Sequence, residues 1–160
     1  MLIILIKIGV VKLKILVCTD GSEHSQKVLE KASLIAQGCT PDEVSVIYVY
    51  DDKMLFPIYA GYTPTQEEKE RFRKYEQMHK EEKKMILSEA LKTLENKNIK
   101  ANAIFEEGHP AETIVRVASE QGFDMIIIGS RGMGGLKRLF LGSVSNAVVH
   151  NAKVSVLTVK

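Results

Sequence analysis

Tryptophan is absent from this chain, and phenylalanine and tyrosine contribute five residues each to a length of 160. So sparse a set of rings offers no aromatic platform for stacking bases. Neither sign of charge predominates: 22 basic side chains stand against 20 acidic ones, for a formal net charge of +2. A surface so balanced gives no electrostatic footing for DNA, RNA or a membrane as main partner. Cysteine occurs twice, at Cys18 and Cys39. The first is expected at a strand end and the second after the following helix, which runs back along the sheet for about 24 Å at 1.5 Å per residue. The two sulfurs then lie too far apart to bridge, and reduced thiols suit a cytoplasmic protein. The apolar opening MLIILIKIGVV is too short for a membrane span and is broken by Lys7. It lacks the basic leader and small-residue cleavage site of a signal peptide. Residues 1–10 therefore read as an extra segment, either an N-terminal arm or the product of an upstream start with the domain beginning near Val11.

What is present is a core. Hydrophobic residues make up 45% of the chain, enough for one domain over residues 11–160. Val11 to Cys18 is an apolar run ending in the turn TDGS, a strand passing into a helix. Ser22 is the expected cap of that helix and Gly38 its stop. Val44 to Tyr50 is rich in β-branched and aromatic residues and reads as strand two. After a loop with Pro57 and Gly61, the run Thr63-Pro64-Thr65-Gln66 reads as a Thr cap, a first-turn Pro and Gln at the third position. The helix is expected to continue to about Asn96, with a charged, solvated first half. Ala101 to Phe105 is a third strand, Pro110 opens a third helix, and Asp124 to Gly129 is a strand buried on both faces. Ser143 to Asn151 reads as a short helix and Val154 to Val159 as the last strand.

Strands alternating with helices predict an α/β domain: a five-stranded parallel sheet, order 3-2-1-4-5, with helices on both faces. Strands 1 and 4 are then neighbours whose connections leave in opposite directions. Open α/β sheets bind ligands in the crevice at such a switch point. The two tips there are Cys18-Thr19-Asp20-Gly21 and Ile128-Gly129-Ser130-Arg131-Gly132. The second continues through Gly134, Gly135, Lys137 and Arg138 to Gly142-Ser143, where a helix begins. Glycines allow close backbone approach, and a helix N-terminus supplies unpaired N–H groups with roughly half a positive charge, a natural phosphate site. Such a loop is also compatible with a plain turn. No stretch reads GxxxxGK[ST], and no GxGxxG joins strand 1 to helix 1, so P-loop and dinucleotide folds are unsupported.

The spacing Gly129-x2-Gly132-x9-Gly142-Ser143 resembles the nucleotide-binding pattern of ATP-binding universal stress proteins. ILVCTDGSEHS, EEGHPAETIV and NAKVSVLTVK are similar to other segments of that family. The resemblance implies a bound ATP, with Mg2+ on its phosphates. By position, Asp20 would contact the adenosine end and Val49 would pack on adenine. Gly129 and Arg131 would meet ribose and phosphates. Gly132, Gly142, Ser143 and Val144 would hold the triphosphate, with Ser145. Cys18 stands where family members often carry Pro, Ala or another small residue, and should pack by the adenine as a thiol rather than act as a nucleophile.

The implied role is a nucleotide-dependent regulatory or stress-response module acting through a protein effector. The alternative is a slow ATPase or autophosphorylating enzyme. No Ser-His-Asp or metal-ligand cluster is recognisable, and the loop TDGSEHS lacks the SGGxDS pattern of related folds that cleave ATP. His24 and His109 read as helix-start residues. The last strand, Val154 to Val159, is expected at the sheet edge and available for a homodimer.

Overall fold

The computed structural model describes residues 12–51, 63–132 and 141–160. The expectations for residues 1–10, for the loop with Pro57 and Gly61, and for Gly134, Gly135, Lys137 and Arg138 lie outside the described residues. The elements run β1 (Lys14–Cys18), α1 (Glu23–Cys39), β2 (Glu43–Tyr50), α2 (Gln66–Glu95), β3 (Asn102–Glu107), α3 (Pro110–Glu120), β4 (Met125–Gly129), α4 (Ser143–Asn151) and β5 (Ser155–Val159). The five strands form one parallel sheet in the order β3-β2-β1-β4-β5, as the alternation predicted.

The central strand carries two alternating stripes because both its faces are covered. Ile15 and Val17 pack with Val28, Leu29 and Ala32 of α1 and with Leu87, Ala90 and Leu94 of α2. Leu16 and Cys18 turn to the other face, against Ala111, Ile114 and Val117 of α3 and Val148 of α4. Ile15, Leu16 and Val17 are wholly buried, and each such side chain contributes about 1.5–3 kcal/mol relative to exposure.

The start of β1 is held from both sides. Asp42 accepts from the Leu13 N–H and Asp124 from the Lys14 N–H, each at 2.8 Å. Lys14 reaches Glu43 at 2.8 Å and the Gln121 carbonyl at 2.8 Å. These carboxylates fix the register of β1 between its neighbours.

Three local expectations are corrected. Helix α1 does not stop at Gly38. It runs to Cys39 and closes on Thr40 in the left-handed region, whose N–H donates to Ala36. Helix α2 is capped by Thr65, not Thr63. Thr65 and Glu68 exchange side-chain-to-backbone hydrogen bonds at both ends of a capping box, which Thr63 with Gln66 at the third position does not form. Strand β3 is shifted to Asn102–Glu107, where it pairs with Ser45 to Tyr50.

Candidate functional site

The tips of β1 and β4 lie side by side because Ile15, Leu16 and Val17 pair with Met125, Ile126 and Ile127. Beyond β1 the chain turns through Gly21 at φ +78°, where a Cβ would lie 2.8 Å from the Ile86 side chain of α2. Asp20 folds back over this turn. Its Oδ1 accepts from the Ser22 N–H at 3.0 Å and from the Ser25 hydroxyl at 2.6 Å. The Asp20 N–H donates to the Ser25 Oγ at 3.1 Å. Ser22 is the cap residue of α1, as expected, yet its side chain makes no capping bond. Thr19 belongs to the scaffold: its N–H donates to the Ile47 carbonyl at 3.0 Å and its hydroxyl accepts from Gly21 at 3.3 Å.

The β4 tip is bound to the start of α4 through one residue. The Ser130 N–H donates to the Val159 carbonyl of β5 at 2.7 Å. Its own carbonyl accepts from the Gly142 N–H at 2.7 Å and from the Ser145 hydroxyl at 3.0 Å. These bonds set the N-terminus of α4 directly over the tip of β4. Gly142 is the cap, so it contributes no side-chain oxygen to the first turn. The first bond of the helix is from the Asn146 N–H to the Gly142 carbonyl. The N–H groups of Ser143, Val144 and Ser145 precede that bond and are the orphan donors of a helix start.

Gly132 brings the two tips together. A Cβ built on it would sit 2.9 Å from Asp20 Oδ2, closer than real Cβ contacts come. At Gly142 the situation differs. Its backbone is ordinary extended chain (φ −71°, ψ 166°), and a Cβ there meets Ser130, Arg131 and Ser145 only at 3.5 Å and beyond. The fold itself therefore accepts a side chain at 142, which would project beside the orphan N–H groups. A Cβ on Gly129 would lie 3.1 Å from the Arg131 carbonyl, so the loop turns tightly there.

Beside this polar rim lies an apolar floor. Cys18, Ile128 and Val49 belong to the same cluster on the α3 and α4 face, and Val144 packs against it from α4. Cys18 and Ile128 are buried and Val49 is half-buried. Burial pushes the Cys18 thiol far above its ordinary value, so it stays protonated. That is the packed thiol expected from the sequence, and it is unsuited to nucleophilic attack. Burial likewise raises the Tyr48 phenol, and the charge of Asp20 adds to the shift.

The twelve positions singled out by sequence thus fall at one end of the sheet. Among those on α4, Ser145 turns its side chain inward. Its hydroxyl is committed to Ser130 and also lies 3.1 Å from the Gly142 carbonyl, so its N–H is the group left to meet a ligand. Ser143 and Arg131 are exposed. Two residues that hold the site together, Ser25 and Ser130, were not singled out. Ser25 sits one turn into a helix, and Ser130 works through its backbone. The spacing of glycines signals neither.

A doubly wound parallel sheet whose β1 and β4 tips meet at an aspartate turn and a helix N-terminus defines a single-domain α/β protein. Residues 13–160 match the universal stress protein family, and the chain belongs to that family. It is 34% identical over 154 residues to universal stress protein YxiE of Bacillus subtilis, covering 92% of this chain and 98% of that one. It is similar to universal stress protein MJ0577 of Methanocaldococcus jannaschii at 31% identity. The solved structure of MJ0577 superposes with a TM-score of 0.78, over 92% of this chain and 94% of that chain. A universal stress protein from Archaeoglobus fulgidus, solved in complex with dAMP, shares the fold at 22% identity and a TM-score of 0.64, over 92% of this chain and 98% of that chain. Among the described residues no helix is long and apolar enough to cross a membrane.

Proposed function

We propose that this protein binds ATP in the crevice between the β1 and β4 tips and acts as a nucleotide-dependent regulatory module of the cytoplasm. The observation that carries the reading is the start of α4. Ser143, Val144 and Ser145 direct orphan N–H groups past a side-chain-free cap, held over the β4 tip by the Ser130 carbonyl. Donors of that kind at the positive end of a helix suit phosphate oxygens. The apolar floor of Cys18, Val49 and Ile128 suits a flat base. The dAMP complex of the Archaeoglobus protein supports the base class, since a protein of this fold holds an adenine nucleotide.

In this reading Asp20 orients the adenosine end, and Gly129, Arg131, Gly132, Gly142, Ser143 and Val144 surround ribose and phosphates. Mg2+ would arrive on the phosphates and offset their charge. The chain's own residues bind and orient the nucleotide and exclude water from the base. Binding of this uniform kind stabilises bound ATP as much as any transition state, so turnover is slow at most. The output then passes to a protein effector. A homodimer through β5 fits this reading, because among the described residues β5 is an edge strand with no partner on its outer side, and its Leu157 is exposed.

The test is direct. Mass spectrometry of small molecules released from freshly purified protein should find an adenine nucleotide, and titration of stripped protein with Mg-ATP should show saturable binding. Saturation by Mg-GTP with equal affinity, or no binding of either, would remove the reading.

A further inference from the structure

Helix α2 is 30 residues long, and its buried residues, Leu87, Ala90 and Leu94, all lie in its C-terminal half. A second stripe on the same helix faces away from the core. Arg71, Tyr75, Met78, Glu82, Met85 and Glu89 recur at intervals of four and three, within an arc of about 80° at 3.6 residues per turn. All six are exposed, and Tyr75, Met78 and Met85 show 52%, 71% and 64% of their surface. Tyr75, Met78 and Met85 fall at the a and d spacing of a coiled-coil seam, with the charged Arg71, Glu82 and Glu89 at its other positions.

We infer that this stripe is an interaction surface for a second copy of the chain, the two α2 helices packing antiparallel about a two-fold axis at the level of residue 80. A two-fold interface must be complementary to itself. In this register Arg71 meets Glu89 of the second copy at each end of the interface. Tyr75 meets Met85, and Met78 meets the methylene groups of Glu82. Every layer sets one heptad position a against one position d, which is how antiparallel helices interlock. A parallel pairing in register would set Arg71 against Arg71 and Glu89 against Glu89, so charge selects the antiparallel arrangement. Among the described residues neither Arg71 nor Glu89 forms an ion pair within its own chain. Glu81 flanks the axis and would face its own counterpart, but Lys84 holds it at 2.8 Å and offsets its charge.

The six positions span about 27 Å of helix at 1.5 Å per residue. A single helix face of that length falls at the small end of protein interfaces, so the pairing is weak and concentration-dependent. It is separate from the β5 edge, because α2 packs over β2 and β3 at the other side of the sheet.

Sedimentation equilibrium of the full chain over a wide concentration range tests it. The mass should rise with concentration beyond whatever baseline a β5 pair sets. Arg71→Glu and Glu89→Arg should each abolish the rise, because each places like charges at both ends of the interface. The double variant Arg71→Glu/Glu89→Arg should restore it. Met78→Lys should abolish the rise in either background. All three positions are exposed, so thermal midpoints should stay with the parent and separate lost pairing from lost folding. A wild-type mass that does not rise, single variants that associate like wild type, or a double variant that fails to recover would each overturn the inference.

Discussion

Asp20 and Gly132 meet across the junction of the two chain halves: a Cβ on Gly132 would lie 2.9 Å from Asp20 Oδ2. The carboxylate is not free to swing aside, because Ser22 and Ser25 hold its other oxygen. The aspartate turn after β1 and the loop after β4 are therefore one mechanical unit, although 112 positions separate the two residues in sequence.

Gly132→Ala should disturb that unit directly. The added methyl presses on a tethered carboxylate, an overpacking that typically costs about 1–3 kcal/mol. Thermal unfolding should show the loss, and ATP affinity should fall with it. In an Asp20→Ala background the same substitution should cost much less, since residues in contact are not additive. Equal cost in both backgrounds would show that the contact is not responsible.

Gly142→Val should separate binding from folding. The backbone at 142 has ordinary angles, and the nearest neighbours of a new Cβ are at 3.5 Å or more. The melting temperature should change little, while the side chain crowds the N–H groups of Ser143 and Val144 and ATP binding is lost. Undiminished affinity in the folded variant, measured by calorimetry, would move the phosphate site elsewhere.

The cysteines should differ in reactivity. Both are free, with Cys39 exposed at the end of α1 and Cys18 buried in the floor of the site. Burial keeps the Cys18 thiol protonated, so a thiol reagent near pH 8 should modify Cys39 quickly. Cys18 should react only once denaturant opens the sheet. Peptide mapping after timed alkylation reads both rates.

Glu43 should add a small acid-dependent term to stability. Lys14 bonds its carboxylate and holds it below the usual range, and Ser45 adds to the shift. A carboxyl depressed in the folded state stabilises above its unfolded value of about 4.3 and loses that contribution as pH falls through the folded value. The pair is about a third exposed, so the term is at most about 1 kcal/mol. Urea unfolding of Glu43→Gln should differ from wild type at pH 7 and converge with it near pH 3. A constant difference across that range would assign the effect to packing instead.

Turnover of ATP by the isolated protein should be far below the roughly 1–100 per second of kinases. Phosphate release measured over hours with Mg2+ is the assay. Release at several per second, lost in Asp20→Ala and kept in Cys18→Ala, would place the chain among enzymes.

The order of strands was legible because periodicity is a local property: VKLKILVC, VSVIYVY and DMIIIG announce buried strands wherever they fold. Right-handed crossovers then leave few topologies, and the switch point follows. The glycines and the Gly142-Ser143 helix start were legible for the same reason. Helix ends were less so. Thr63 and Thr65 both suit a cap, and the choice fell to Thr65 because Glu68 lies three residues on and returns the hydrogen bond.

By itself, then, the sequence determined which segments are strands and helices, their layering, and the end of the sheet where the tips of β1 and β4 meet, all from local pattern and chain handedness. Only the tertiary structure decided how that end is built. Ser130 holds α4 through its carbonyl, Ser25 fixes Asp20, Gly132 yields its side-chain space to Asp20, and Ser145 turns inward. Each of these depends on distances between residues that different elements carry, and such distances exist only after the sheet has brought the elements together.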